Sequence, residues 1–292
     1  GSHIALFPNL NTQDEVWREV IRDVRFRRAL SLAIDRGQLN QALYYGLAVE
    51  GANSVHELSP LFQESYRNAW AEQDVQKANG LLDEMGLTQR DSDGVRLLPD
   101  GRPMVVVVET AGEDTEQVDV LELIHDDWLK IGIKLFSKPL QREVFRNRIF
   151  AGSTMMAVWG GLENGLPTPN TVPTEIAPSS QQQYQWPKWG QFIETKGTAG
   201  EPPDLPEAKE LMRLNQEWLS AKSEQERTNI WQQMLAIYTD QVFTIGLIAA
   251  VRQPVVVSRR LRNVPQSAVY NWDPGAHFGV YRPDTFWVDD NR

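Results

Sequence analysis

The sequence predicts an α/β fold, and three consecutive segments carry that prediction. The run MVVVVE, residues 104–109, is continuous and rich in β-branched side chains, as in a strand that is buried on both faces. Residues 117–131 follow with apolar side chains at helical spacing, and IKLFS, residues 133–137, has the pattern of the next strand. A strand, a helix and a strand of these lengths form a βαβ unit, whose strands are usually parallel.

Before this unit the sequence predicts one strand and three helices. The apolar residues 4–6 predict a short strand. Helical periodicity begins after Asp23, a residue type suited to an N-cap, and continues to Gly46, with Gly37 marking a break between two helices. Residues 74–85 (DVQKANGLLDEM) predict a third, amphipathic helix, which a glycine closes.

After the unit, residues 142–150 predict a helix and TMMAVWG, residues 154–160, predicts a strand. Regular patterns then fade between residues 160 and 206, a stretch rich in proline, glycine and aromatic residues. It has too many aromatic residues for simple disorder, and long ordered loops are usually functional. Because ligands of open α/β sheets gather where strands end, the start of this loop is a candidate site.

The last part of the chain predicts two helices, at residues 205–219 and 223–240, and then the apolar strand IGLIAAV, residues 245–251. Two shorter apolar runs, VRLL at 95–98 and PVVVS at 254–258, also have the composition of strands. From residue 259 onward the sequence is rich in loops and aromatic residues, which need a surface to pack against.

Composition limits the function classes. The 292 residues carry a net charge of −10 and no basic patch, which argues against nucleic acid and anionic membranes as partners. No apolar run reaches the roughly 18 to 20 residues that span a bilayer. The absence of cysteine rules out disulfides and a cysteine nucleophile. The opening Gly-Ser-His has the form of a remnant of a cleaved tag, and no signal peptide is visible.

Motifs for catalysis, cofactors or metals are missing. The sequence contains no glycine-rich phosphate or dinucleotide motif, no H-E-x-x-H and no G-x-S-x-G. Three histidines beyond the first residues lie far apart, and adjacent carboxylates such as Asp126 and Asp127 point in different directions. An enzyme therefore has no positive support, and we expect neither a cofactor nor a metal.

Tryptophan placement separates two groups. Four tryptophans lie in helical patterns and are predicted to be core residues: Trp17, Trp128, Trp218 and Trp231. Trp159, Trp186 and Trp189 lie in or beside irregular chain, where packing and ligand contact are equally consistent with the pattern.

Several motifs in order resemble one family. FPNLNTQ with DVRFRRALSLAIDRGQL, then DVQKANGLLDEMGL, then GRPMVVVVET with DWLKIGIKLFSKPL, and finally MMAVWGG resemble the C-terminal half of the family 5 solute-binding proteins of ABC importers. That group captures peptides, nickel and some oligosaccharides. The match extends over nearly the whole chain, and the combination is specific although each motif alone is weak.

The resemblance implies a type II periplasmic-binding-protein fold, with a mixed sheet flanked by helices in a lobe that closes on a ligand by hinge motion. Residues 4–11 would be a strand crossing between lobes, 12–243 the solute-binding lobe, and 244–292 the return crossing and a piece of the other, missing lobe. Residues 1–3 are set apart as the tag remnant. We expect residues 271–288 to be more mobile than the lobe, or to pack on a neighbouring chain.

The resemblance also implies a periplasmic protein that delivers a small solute to the transmembrane subunits of an ABC permease without chemistry. In this comparison Trp159 stacks on the ligand, Gly160 allows close approach, and Glu163, Asn164 and Asn170 offer polar contacts. Asn9 and Asn11 would bind ligand at the crossing, and Trp186 and Trp189 would form the rim.

The class of ligand stays open between peptide and oligosaccharide. Peptide-binding relatives place an aspartate after this loop to pair with the peptide amino terminus, whereas this sequence has Leu166, Pro167 and Thr168. An unpaired buried ammonium is costly, so the missing acid weakens a simple peptide prediction. Two functions from other classes are alternatives: a hydrolase with an aromatic cleft, and a protein-interaction domain with exposed aromatic residues.

Overall fold

A computed structural model describes residues 1–113, 115–269 and 282–289. The strands in these residues are β1 (Ile4–Pro8), β2 (Val49–Glu50), β3 (Val105–Thr110), β4 (Lys134–Pro139), β5 (Met156–Trp159), β6 (Ile245–Ala249), β7 (Leu261–Arg262) and β8 (Trp287–Val288). The helices are α1 (Glu15–Arg22), α2 (Val24–Ala33), α3 (Arg36–Tyr44), α4 (Glu64–Asn68), α5 (Val75–Glu84), α6 (Thr115–Leu129), α7 (Arg142–Ala151), α8 (Pro187–Glu194), α9 (Pro206–Ser220) and α10 (Glu224–Asp240).

Six strands form one mixed sheet in the order β2-β6-β1-β5-β3-β4. β3 is parallel to β4 and to β5, while β1 is antiparallel to both of its neighbours, β5 and β6. The parallel pair β3 and β4 is in register from Val105 opposite Lys134 to Thr110 opposite Pro139, with α6 as the connection. The predicted α/β class and the predicted βαβ unit are confirmed.

Side chains near the helix ends explain most of the predicted boundaries. Asp23 caps α2 by accepting a hydrogen bond from the backbone N–H of Arg25, as predicted. The break in the next helical pattern was placed wrongly, since Gly37 lies inside α3 and the chain breaks at Ile34. Asp35 is the N-cap of α3, and this cap, not glycine flexibility, separates the two helices.

Two predicted strands are not formed and three helices were not predicted. VRLL makes only isolated bridges, and residues 254–258 carry no regular structure. In the described part of the chain neither run has a neighbouring strand along its length, and β-branched residues alone do not make a strand without one. The helices α1, α4 and α8 were missed. α4 has only five residues, and α8 begins at Pro187 and contains Gly190, residues that weaken a helical pattern in sequence.

Alternating residues of the central strands face two different layers. Ile4, Leu6, Met156 and Val158 face the main core. Ala5, Phe7, Ala157 and Trp159 face the opposite layer, where Phe145 and Ile149 of α7 cover them. The pleat of β5 therefore delivers Trp159 to the α7 side of the sheet at the point where the strand ends.

The first three residues take part in the fold, although we set them aside as a tag remnant. The backbone N–H of Ser2 donates to Asn53 Oδ1 (3.1 Å), and the Ser2 carbonyl accepts from the N–H of Gly161 (2.8 Å). The N–H of His3 donates to the carbonyl of Ile248 (2.7 Å). These residues extend β1 between the loop after β5 and strand β6.

The end of the chain is described only in part. Residues 270–281 and 290–292, which include most of the aromatic tail, lie outside the described residues, so the expectation for residues 271–288 stays a prediction. Leu261 and Arg262 pair with Val288 and Trp287 in a small ribbon. Among the described helices none combines the length and the apolar character needed to cross a membrane.

Candidate ligand-binding site

Three aromatic side chains meet where β5 ends. The ring of Trp159 lies 6.1 Å from that of Phe145 in a stacked arrangement and 6.2 Å from that of Tyr184 edge to face. Tyr184 also contacts Phe145 (5.7 Å) and Phe7 (5.4 Å) edge to face. Phe145 is buried, whereas Trp159 and Tyr184 are only partly buried. We call Phe145, Trp159 and Tyr184 the aromatic corner; it offers flat apolar faces that a ligand can reach.

Charged groups of both signs surround this corner. The guanidinium of Arg142 lies 5.5 Å from the centre of the Trp159 ring and pairs with Glu113 (3.4 Å). Burial raises the pKa of Tyr184 to about 12, an effect that nearby Glu163 reinforces and that Arg142 and the neighbouring Arg146 oppose. The Tyr184 hydroxyl therefore stays protonated at neutral pH and can donate a hydrogen bond.

The loop that follows β5 is anchored through its backbone N–H groups. We call residues 160–170 the β5 loop. The N–H of Leu162 donates to Asn53 Oδ1 (3.1 Å). The N–H groups of Glu163 and Asn164 both donate to the carboxylate of Glu175, the latter at 3.2 Å. The first half of the loop is thus held by two side chains from outside it.

The second half of the loop is anchored through its carbonyl groups. The Gly165 carbonyl accepts from the His56 backbone N–H (2.8 Å), and the Pro167 carbonyl accepts from Ser59 Oγ (2.6 Å). Trp218 Nε1 donates to the Pro169 carbonyl (2.9 Å). The loop is therefore an ordered wall next to the aromatic corner.

The predicted polar residues of the loop take different positions. Glu163 is exposed. Asn164 uses its side-chain oxygen to accept from the N–H of Leu166 (3.2 Å), and Asn170 uses its own to accept from Arg227 (2.7 Å). A ligand role for these three residues stays a prediction. Glu163 is the one with a carboxylate, and that carboxylate faces solvent.

The two loop glycines are not equivalent. A Cβ at Gly161 would lie 2.3 Å from Asn53 Oδ1, so packing within the protein requires glycine there. At Gly160 the nearest atom would be the His3 carbonyl oxygen at 3.8 Å, which is ordinary contact. The predicted role of Gly160 in close approach of a ligand is consistent with this open space and stays a prediction.

Trp186 and Trp189, which we predicted to form a rim, lie in the interior of this structure, and the rim role stays a prediction. Both are fully buried; their rings stack 6.3 Å apart, and Trp186 contacts Phe243 (5.0 Å) and Tyr238 (6.2 Å). Residues from α10 and the start of β6 enclose them, so they present no face to a cleft.

Asn9 and Asn11, which we predicted to contact ligand, are both buried within the protein, and their ligand role stays a prediction. Asn9 Nδ2 donates to the carbonyl of Thr154 (2.6 Å), and its Oδ1 accepts from the N–H of Asn11 (2.9 Å). Asn11 Oδ1 accepts from the N–H groups of Lys188 (3.0 Å) and Trp189 (3.3 Å). Their oxygens hold backbone in place.

A second concave region lies beside the buried carboxylate of Glu109 on the α7 side of the sheet. Its volume is about 220 Å³. Glu109 accepts from Arg148 (2.6 Å), Thr154 (3.0 Å) and Lys138 (3.4 Å). Burial would raise its pKa, but hydrogen bonds from Arg148 and Thr154 and the positive charges lower it. Among the described residues no group of histidine and carboxylate side chains could hold a metal ion.

Sequence reasoning missed three residues that build the site. Tyr184 opens the aromatic sequence YQWPKWGQF, but its contact with Trp159 could not be predicted because 24 residues separate the two in the chain. Asn53 and Glu175 lie in irregular segments with no pattern around them. The one local signal was that Glu175, whose carboxylate can accept hydrogen bonds from a nearby backbone, lies in a proline-rich turn.

Comparisons with known proteins agree on one family. A family model described as "Bacterial extracellular solute-binding proteins, family 5 Middle" matches residues 2–184. The periplasmic alpha-galactoside-binding protein of Rhizobium meliloti (strain 1021) is 22% identical over 266 residues, covering 87% of this chain and 36% of that protein.

Two solved structures share the fold. One, an oligopeptide-binding protein OppA, has a TM-score of 0.80 and 30% identity over 99% of this chain and 47% of its own. The other, the periplasmic binding protein MelB of Agrobacterium fabrum C58 in complex with stachyose, has a TM-score of 0.74 and 19% identity over 98% of this chain and 44% of its own. The chain thus spans less than half the length of each of these three proteins.

Proposed function

The chain belongs to the bacterial extracellular solute-binding proteins of family 5, and on this premise we propose that it forms a lobe that captures an oligopeptide or a similar solute for an ABC importer. The aromatic corner beside the anchored β5 loop carries the proposal. Trp159 ends a sheet strand, keeps part of its ring accessible, and is stacked on Phe145, which fixes its orientation. A preoriented aromatic face of this kind binds without paying much side-chain entropy.

An oligosaccharide is the second candidate, and a specific feature favours it. Leu166 and Thr168 put no acid where peptide-binding relatives carry one, and the corner combines aromatic faces with a protonated tyrosine hydroxyl. The relatives include binding proteins for both kinds of ligand, an alpha-galactoside and stachyose on one side and oligopeptides on the other. Glu163 is the exposed carboxylate that would meet a peptide ammonium.

The proposal includes no chemistry on the solute. A hydrolase needs two acids that converge on one bond. The acid next to Glu163 is Glu175. Burial raises the pKa of Glu175, although hydrogen bonds from two backbone N–H groups oppose that rise. Because those N–H groups occupy its oxygens, we assign Glu175 to loop geometry. Incubation of the chain with stachyose and pentaalanine for a day, followed by chromatography, should return both intact.

The test of binding is an NMR titration, because one lobe is expected to bind weakly and NMR detects millimolar dissociation constants. Isotope-labelled chain is titrated with trialanine, pentaalanine and stachyose. We expect saturable shifts at the β5 loop with at least one of them. Trp159→Ala should weaken binding at least tenfold, about 1.4 kcal/mol.

The matched control is Tyr45→Ala, which removes an aromatic side chain that is 82% exposed on another surface and should leave affinity unchanged. No saturable shift with any of the three solutes, or equal loss in both variants, would refute the proposed site. Location in a periplasm and delivery to a permease are part of the same proposal and rest on the family. Delivery is tested by measuring solute transport in a strain that lacks the binding protein.

A further inference from the structure

Four successive backbone N–H groups of the β5 loop are used inside the protein. Gly161 donates to the Ser2 carbonyl, Leu162 to Asn53 Oδ1, and Glu163 and Asn164 to the Glu175 carboxylate. The carbonyl groups of these four residues accept no hydrogen bond from the residues that the structure describes. The backbone of residues 161–164 therefore offers acceptors to its surroundings and no donors.

The two side chains responsible are themselves fixed. Asn53 is 2% exposed; its Oδ1 also accepts from the N–H of Ser2 (3.1 Å), and its Nδ2 donates to Thr244 Oγ1 (3.1 Å). The Thr244 hydroxyl in turn donates to Tyr238 Oη (3.1 Å). An amide whose donor is occupied in this way presents only its oxygen to the loop, because the bond to Thr244 prevents the amide from flipping.

We propose that Asn53 and Glu175 are positioning residues that set the hydrogen-bonding polarity of the β5 loop and thereby its choice of solute. They occupy the N–H groups of residues 162–164, so the loop meets the solute with carbonyl oxygens and the exposed Glu163 carboxylate. Such a wall accepts hydrogen bonds from hydroxyl or ammonium groups. At the backbone of residues 161–164 it disfavours a carboxylate, which would lose its water there without gaining a backbone donor. This inference rests on the proposed function.

The arrangement is the reverse of an anion-binding nest, in which successive N–H groups converge on the ligand. The expected specificity is therefore for solutes whose end at this wall donates hydrogen bonds and carries no negative charge. A sugar hydroxyl and a peptide amino terminus both satisfy it, whereas an acylated acidic peptide or a uronic acid does not.

Hydrogen exchange of the full 292-residue chain, read by NMR, tests the positioning. The amides of residues 162–164 should be protected in the wild-type chain. Glu175→Ala should speed exchange at residues 163 and 164 at least tenfold and leave residue 162 protected. Asn53→Asp keeps the oxygen acceptor and should preserve protection at residue 162. Ser59→Ala, which frees the Pro167 carbonyl instead, is the matched control and should alter none of the three.

Selectivity tests the consequence, with two pairs of probes: trialanine against N-succinyl-trialanine, and stachyose against tri-galacturonate. The wild-type chain should prefer the first member of each pair. Glu175→Ala frees two N–H groups, so the preference should fall about tenfold. Glu163→Gln removes a charge without freeing an N–H, and its smaller effect gives the purely electrostatic part.

The outcomes separate the two proposals. Rapid exchange of the amides of residues 162–164 in the wild-type chain would overturn the positioning role, and this test does not require that Glu175→Ala folds. Glu175→Gln, which keeps one acceptor, provides a milder variant. If a Glu175 variant shows faster amide exchange in the loop but the same preference between the paired probes, the link to specificity is overturned. If the wild-type chain binds none of the four probes, the proposed function itself fails, and this inference fails with it.

Discussion

Asn11 supplies a helix cap from far along the chain. The first N–H groups of a helix lack partners within it, and Trp186, at the N-cap position of α8, makes no side-chain hydrogen bond to them. Asn11 Oδ1 accepts from the N–H groups of Lys188 and Trp189, the second and third residues of α8. The residue predicted to bind ligand closes the N-terminus of a helix that the sequence did not reveal.

Asn11→Ala should therefore lower the free energy of unfolding by about 1 to 2 kcal/mol, as for other lost caps, and leave solute affinity unchanged. Urea denaturation and the NMR titration measure the two effects separately. Asn11→Asp keeps an acceptor at the same place and serves as the control, with most of the stability retained. An affinity loss larger than the loss of stability would place Asn11 in the binding site.

Residue roles were harder to predict than residue positions. Trp159 and Trp186 both adjoin irregular chain, yet the first keeps an accessible face and the second is fully buried. Burial of Trp186 depends on Tyr238 and Phe243, more than 50 residues away, and no local pattern carries that information. The same holds for Asn53, whose partner Leu162 lies 109 residues further along.

At the scale of elements, Glu109 joins β3 to β4 and α7. Its buried carboxylate accepts from Lys138 of β4 and, through two nitrogens, from Arg148 of α7. Thr154, just before β5, provides a further donor (3.0 Å). Removing the carboxylate would leave Arg148 (33% exposed) and Lys138 (39% exposed) without this partner, but both would keep contact with solvent.

Glu109→Gln should destabilise the chain by about 1 to 3 kcal/mol at pH 7, the cost of lost hydrogen bonds to charged groups. The pKa of Glu109 is lowered in the folded state, so its charge stabilises the fold above the unfolded-state pKa, and that stabilisation is lost as the pH falls through the folded value. Denaturation midpoints between pH 7 and pH 3 should therefore fall less steeply in Glu109→Gln than in the wild-type chain. Parallel curves would show that Glu109 does not contribute to the acid sensitivity.

Two helical glycines should respond in opposite directions to alanine. A Cβ at Gly190 in α8 would lie 2.0 Å from the backbone oxygen of Ser180, whereas at Gly80 in α5 nothing lies within 4 Å. Alanine improves helix propensity by about 1 kcal/mol at either site. At Gly190 overpacking costs about 1 to 3 kcal/mol or more, because a backbone atom must move. We expect Gly80→Ala to raise the thermal midpoint and Gly190→Ala to lower it; a rise in both would contradict the crowding at α8.

Elements with strong local periodicity were predictable, and those that need a distant partner were not. The parallel pair β3 and β4 follows from its own sequence, because a buried strand, a helix and a strand determine one another locally. The run PVVVS has equally good strand composition but no neighbouring strand among the described residues, and Val256 is fully exposed. The composition of a segment shows that it could form a strand, but a strand also needs a neighbouring strand, which composition does not predict.

At the scale of the whole molecule, β6 belongs to the same sheet as β1. The division that we predicted, with residues 244–292 as the return crossing and a piece of another lobe, stays a prediction; in the structure Ile4 pairs with Ile248 and Leu6 with Ile245. Ile245, Leu247 and Ile248 are buried in the main core. The described residues from 253 to 269, by contrast, are mostly exposed. Among the described residues, packing in the main core therefore extends through β6, and Val251 is the last apolar residue of these that contacts it.

This boundary predicts the behaviour of two shortened chains. A chain ending at Arg252 keeps β6 and should fold with a free energy of unfolding within about 1 kcal/mol of the full chain, because exposed side chains contribute little. A chain ending at Phe243 loses three buried aliphatic side chains, each worth about 2 to 5 kcal/mol by analogy with truncation to alanine, as well as the pairing of β1. That total exceeds the stability of many domains, about 5 to 15 kcal/mol. Urea unfolding and amide NMR spectra distinguish the outcomes: if the chain ending at Arg252 unfolds as readily as the shorter one, the segment after β6 is part of the fold.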